Sequence, residues 1–337
     1  MKKISTLLFA ASLGLSSLSF AQQDPQFTQF MFCKQVYNPA VVGTNGTICA
    51  DVLGRQQWVS FPGAPRTGLV AANMNLGNFG IGLSVIADQI GFQNTTMARL
   101  AGAYHIHIGP TGILSIGVDA GIFQTKISGN YIAPQTLNDP SIPNNGYNAA
   151  TQQGTNSNNL NKMSPDFGGG IYYTIPNKLY IGISSTHLAA PSVDGGSTGQ
   201  SGTPTPQSPG YKLAYDVARH YYVMAGYSFD LASGRDALQP NVLVKTDAAS
   251  TQLDVNLTYM YKKMIGLGVS YRLQDAVAPM IVYKSPFGLR GCLSYDLTTS
   301  KIKGYSSGTW EISIGYCMKP KAAAKKQSHW NTRFFAE

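Results

Sequence analysis

Few residues of this 337-residue chain are spaced for covalent or metal chemistry. Gly304-Tyr305-Ser306-Ser307-Gly308 spells G-x-S-x-G. A nucleophile elbow needs a strand before the serine and a helix after it, whereas the residues that follow, Trp310 to Met318, alternate as a strand does. His105 and His107 lie two apart, so on a strand their rings share one face. The pattern offers no third ligand, and the pair reads as polar side chains of an inner wall; no metal site is assigned. His187, His220 and His329 are scattered, and no H-E-x-x-H, P-loop or dinucleotide fingerprint occurs. No cofactor is called for, and no enzymatic activity is expected. Four cysteines in an exported chain allow three pairings, and no C-x-x-C is present. Cys292 and Cys317 fall on the inward phase of neighbouring strands, where register alone decides whether they bridge.

The elements that must carry these residues show themselves by a period of two. Trp310, Ile312, Ile314, Tyr316 and Met318 alternate with Glu311, Ser313, Gly315 and Cys317. Each set therefore lies on its own face of a sheet. Leu114, Ile116, Val118 and Ala120 alternate likewise with Ser115, Gly117, Asp119 and Gly121. The second set is small or polar throughout, as the lumen face of a membrane barrel requires when the apolar face meets lipid.

Composition agrees. Charged residues are 12%, about half the usual share of a soluble domain, while Gly (36) and Tyr (19) abound. After the first twenty residues no apolar run reaches the length of a spanning helix, and 43% hydrophobic residues argue against disorder. The expected fold is an all-β, antiparallel transmembrane β-barrel of about fourteen strands, from 48–59 to 308–318, with the sixth at 166–175 and the eighth at 218–230. Twelve and sixteen are the neighbouring even counts. Short turns alternate with longer connections, the longest being 128–165 and 188–217. Long loops lie outside in outer-membrane barrels, which places both termini in the periplasm.

Four regions follow. Residues 1–21 read as a signal peptide, with Lys2 and Lys3 before an apolar stretch that ends at Ser19-Phe20-Ala21. Residues 22–47 are too apolar for a linker and too irregular for a strand, so they are expected to pack on or in the barrel, which spans 48–318. A plug is physically sensible in a barrel of this width. Residues 319–337 form a basic tail that carries much of the net charge of +9, so the charge marks no nucleic-acid binder. Arg99, Asp119, Asp254, Arg272, Arg290, Asp296 and Glu311 all fall on the inward phase. They either brace the barrel as a ladder of ion pairs or line a pathway or a seat for a bound peptide.

The run QDPQFTQFMFCKQVYNPAVVG resembles the opening signature of the PorP/SprF family of Bacteroidetes, a component of the type IX secretion system. Further matches follow in order at Arg55-Gln56-Gln57-Trp58, Gly63-Ala64-Pro65-Arg66-Thr67, Asp88-Gln89-Ile90-Gly91, Tyr271-Arg272, Tyr295-Asp296 and Gly308-Thr309-Trp310-Glu311-Ile312. Trp310 stands where the family commonly has His, and the basic tail has no counterpart in the pattern. The resemblance implies a non-enzymatic protein of the outer membrane, seated in its lipid, that assists secretion or surface attachment of large partners. Those partners would be adhesins tied to gliding motility, held by their C-terminal secretion domains. It also implies contact with other secretion components and with a peptidoglycan-associated periplasmic protein. The partner-binding residues it implies are Gln26, Phe27, Tyr37, Asn38, Pro39, Arg55, Trp58, Asp88, Gly91, Asp296 and Glu311. The alternative is a passive or gated solute channel.

Overall fold

The computed structural model describes residues 24–127, 147–148, 153–154, 160–194, 214–231, 234–247 and 249–318. The expected signal peptide and basic tail lie outside the described residues, as does most of both long connections. Fourteen long strands form one sheet: β1 (Ile48–Gln56), β2 (Arg66–Asn75), β3 (Phe79–Ile90), β4 (Gln93–Ile108), β5 (Gly112–Ile127), β6 (Leu160–Ile175), β7 (Leu179–Thr186), β8 (His220–Tyr227), β9 (Asp236–Thr246), β10 (Thr251–Tyr261), β11 (Ile265–Arg272), β12 (Ala276–Lys284), β13 (Leu289–Thr298) and β14 (Thr309–Met318). Each pairs antiparallel with the next, and β14 pairs with β1, so the sheet closes with no free edge. Closure is what lets a sheet cross lipid, because every backbone donor and acceptor then has a partner.

Alternation decides which way each side chain points. Arg99 is 6% exposed and its neighbour Leu100 64%; Asp119 is 7% exposed and Val118 65%. The charges face in and the aliphatic chains face out. At one mouth the connections are short, and left-handed residues such as Asn177, Lys262 and Lys263 turn the chain. At the other mouth lie 57–65 and 299–308, and there the chain leaves β5 and β7 for the long connections. In outer-membrane barrels the loop-rich mouth is the extracellular one.

Some details differ from the sequence reading; β1, for one, ends at Gln56 rather than 59. β6 begins at Leu160, not 166, because residues 160–165 pair with Ile122–Ile127 of β5 although Pro165 and the polar residues around it spoil the local alternation. β8 ends at Tyr227, and Phe229–Leu231 pairs separately with the start of β9. Cys317 bridges to Cys49, not to Cys292. Register is the reason: Cys49 lies directly opposite Cys317 across the closing seam, whereas Cys292 faces Ser313. Cys33 and Cys292 are buried free thiols.

The inner wall is not polar throughout. Leu53, Leu69, Met97, Phe123, Met224 and Met260 point inward and are buried. They pack in one cluster with Phe27, Phe30, Met31, Val36, Tyr37 and Val41 of the N-terminal segment. That segment is a string of single 3-10 turns, Phe30–Phe32, Lys34–Val36 and Pro39–Val41. The core of this protein therefore lies inside the barrel.

Candidate functional site

Residues 24–44 meet the wall from the loop-rich mouth down to the turn end. The best-built cluster centres on Arg55, one residue from the end of β1 at the loop-rich mouth. Its Nη1 lies 2.7 Å from Glu311 Oε2 and its Nη2 2.8 Å from Asp296 Oδ2, with all three side chains at most 2% exposed. Arg272 of β11 extends the ladder to Asp254 at 3.0 Å and to Asp275 and Asp296 at 3.3 Å. Thr28 is threaded through it. Its hydroxyl accepts from Arg55 Nη1 at 3.0 Å and from Arg272 Nη2 at 3.2 Å, and donates to Asp296 at 2.8 Å. The amides of Thr28 and Gln29 donate to the two Glu311 carboxylate oxygens at 3.0 and 2.7 Å. Such charge-assisted bonds are the strong ones, and leaving any of these charges alone in a buried site would be costly.

Below it, Asn38 caps the turn it opens, its Oδ1 accepting from Ala40 N at 2.9 Å. Its Nδ2 donates to the carbonyls of Ile171 and Ile183, at 3.1 and 3.3 Å. Pro39 then occupies the first turn position, where its missing N–H does no harm. Ser184 donates to the Tyr37 carbonyl at 2.7 Å. Lys34 lies with Nζ 4.0 Å from the centre of the Tyr180 ring. Burial, with Arg290 and Lys284 nearby, pulls its ammonium pKa down to about 7. At the turn end, Val42 and Gly43 press on β2 to β4. Gly43 takes φ +75°, Asn75 donates to its carbonyl at 2.8 Å, and His105 Nε2 lies 3.0 Å from the Val42 carbonyl. A Cβ at Gly80 would collide with the Val42 carbonyl, and one at Gly117 with Ala40. These inward glycines are what let a second backbone lie against the wall.

Also toward the loop-rich mouth, a further cluster gathers residues that sequence reasoning left scattered. Asp24 Oδ1 lies 2.7 Å from His187 Nε2, and Tyr222 donates to Asp24 Oδ2 at 2.6 Å. Asp166 lies 3.0 Å from both His187 Nδ1 and Arg99 Nη2. The Asp24 backbone is held as well: its amide lies 3.3 Å from His220 Nε2, and Lys245 donates to its carbonyl at 3.1 Å. Burial alone would raise the Asp24 pKa, but His187 and His220, with Arg99, hold the carboxyl well below the usual range. Burial opposes protonation of His187, yet Asp24 and Asp166 hold its pKa up at about 9. Arg99 was legible as an inward charge. The histidines were not, because 32 residues, 188–219, separate them in the chain while the β7–β8 pairing places His220 opposite Thr186.

The eleven residues singled out from the sequence divide by place. Phe27, Tyr37, Asn38, Pro39, Arg55, Asp296 and Glu311 are buried, bonded or packed within the chain. Gln26 is half-buried and bonds to Gln252 at the loop-rich mouth. Trp58, Asp88 and Gly91 lie at that mouth too and are partly or fully exposed. Trp58 N donates to Thr309 Oγ1 at 3.1 Å, Thr67 donates to Asp88 at 2.6 Å, and Gly91 N donates to Gly63 O at 2.9 Å. His105 is buried on Val42, whereas His107 is exposed. The inward charges thus act chiefly within the chain, as anchors for its own N-terminal segment.

A family model described as type IX secretion system membrane protein PorP/SprF matches residues 19–316. No curated protein sequence matches the chain. Among solved structures it is similar to the Ralstonia pickettii toluene transporter TbuX (TM-score 0.45, 10% identity, 84% of this chain and 92% of that one). It is also similar to the monoaromatic hydrocarbon channel CymD (TM-score 0.46, 13% identity, 91% and 96%) and to the Acinetobacter baumannii outer membrane protein Omp33 (TM-score 0.44, 6% identity, 81% and 100%).

Proposed function

Because this outer-membrane β-barrel belongs to the PorP/SprF family of type IX secretion system membrane proteins, we propose that it assists secretion or surface attachment of partner proteins by binding their C-terminal secretion domains, without enzymatic activity and without passing solutes. The observation that carries this reading is the seat of residues 24–44. An aqueous pore presents polar side chains to water, whereas this barrel turns Leu53, Leu69, Met97 and Met260 inward and covers them with Phe27, Phe30 and Tyr37 of its own chain. On this reading residues 24–44 stop the lumen, and the cargo meets the barrel at its outer mouth. There Trp58 and Gly91 stand on loops tied by the Gly91 N–H to the Gly63 carbonyl, with Asp88 near the end of β3. The basic tail is left to meet a periplasmic, peptidoglycan-associated partner and other secretion components.

Affinity purification of the tagged protein from gently solubilised outer membranes tests the proposal. A co-purifying secreted protein with a type IX C-terminal domain, lost on Trp58→Ala with Asp88→Ala, supports it. A lone barrel that conducts ions in planar bilayers would replace it with the channel reading.

A further inference from the structure

Three ligand-type side chains from three separate segments converge at the outer mouth: Asp24 of the N-terminal segment, His187 directly after β7, and His220 at the start of β8. One ligand atom from each lies within 4.8 Å of the other two. Both imidazoles turn Nε2 toward Asp24, at 2.7 Å from its Oδ1 for His187 and 3.3 Å from its amide for His220. His220 keeps Nδ1 on the Ala218 carbonyl at 3.0 Å, and His187 Nδ1 lies 3.0 Å from Asp166 Oδ2 without the alignment of a hydrogen bond. Metal-ligating histidines are held in a related way, a carboxylate or carbonyl near one ring nitrogen setting the ring plane and tautomer; an ion here would take the place of the Asp24 amide on His220 Nε2.

We propose that Asp24, His187 and His220 form a binding site for a transition-metal dication, zinc in the first instance. Two imidazoles and one carboxylate are an established three-ligand set for zinc, with a fourth position open to water. Zinc bonds of this type put adjacent ligand atoms about 3.3 Å apart. The Asp24–His187 pair need only part by roughly half an ångström to admit the ion. Two cations stand close. Arg99 Nη2 is 3.3 Å from His187 Nε2 but is paired with Asp166 at 3.0 Å, and Lys245 is bonded to the Asp24 carbonyl, away from the carboxylate. The metal would fasten the start of the lumen segment to β8 and to the long loop after β7, so that release of the segment would require loss of the ion. The competing account is a simple ion pair, with a protonated His187 between Asp24 and Asp166.

The experiment uses the purified full-length barrel in detergent, stripped with chelator, loaded with zinc and desalted. Bound metal is counted by mass spectrometry, and the loading is repeated with cobalt to read the visible absorption of a tetrahedral site. The expected result is about one zinc per chain, lost in His220→Gln and in Asp24→Asn. Asp166→Asn, which only positions His187, should weaken binding about 10–100-fold. Folding of each variant is checked by heat-dependent gel mobility. If the wild-type protein retains no zinc, or His220→Gln retains as much as wild type, the ion-pair account stands and the metal site falls.

Discussion

Arg55 shows what a buried charge does here. Its guanidinium joins β1, β13, β14 and the N-terminal segment through Glu311, Asp296 and Thr28. Arg55→Met removes the only cation that touches Glu311 among the described ion pairs and leaves that carboxylate buried at 0% exposure. The expected cost is about 3–5 kcal/mol, read as a lower unfolding midpoint in detergent; a change within 0.5 kcal/mol, the usual spread of surface substitutions, would show that the ladder contributes nothing net. Lys34 predicts a pH effect of defined sign. Its folded pKa of about 7 lies below the ordinary lysine value of 10.5, so the unfolded chain binds more protons between those pH values. The penalty is complete below pH 7 and fades as pH rises through that window. Lys34→Met should therefore gain most relative to wild type near pH 6 and lose that advantage near pH 10. Its lost contact with the Tyr180 ring, worth about 0.5–2 kcal/mol, is a constant offset below pH 7. Melting curves at the two pH values check the slope, and parallel shifts would refute it.

At the level of elements, the inward glycines and the N-terminal segment are one structure. Gly80 has no Cβ because the Val42 carbonyl occupies that space. Gly80→Val should force residues 42–44 off the wall, break the Val42–His105 contact, and cost about 1–3 kcal/mol as overpacking does. Single-channel recording gives the sharper check: a closed wild-type barrel and a conducting variant are expected. Two equally silent barrels would mean that another element stops the lumen. The strands themselves were legible from period-two alternation, as were the inward charges. Alternation failed at 160–165, where Pro165 interrupts the pattern and only the ladder with β5 makes the strand. It was silent on the apolar inner belt, since an inward Leu53 or Met97 looks no different in sequence from an outward one.

For the molecule as a whole, the seam between β1 and β14 closes the barrel, and Cys49–Cys317 ties it across a separation of 268 residues. Cross-links over such long loops remove much freedom from the unfolded chain. Cys49→Ser should cost about 2–4 kcal/mol and speed unfolding in detergent, and reduction of the wild type should reproduce the loss. An unchanged midpoint on reduction would mean that the ladder bonds of the seam suffice.

What the amino-acid order determined by itself is local: a two-residue period sets which face a side chain takes, and turn residues set where a strand ends. These are properties of a few neighbouring residues. The tertiary structure alone decided which cysteines bridge, that Thr28 sits between two arginines, and that Asp24, His187 and His220 share one site. Those contacts join residues up to 268 positions apart. They depend on the register in which the barrel closes and on the path of one segment through its lumen, and no local pattern encodes either.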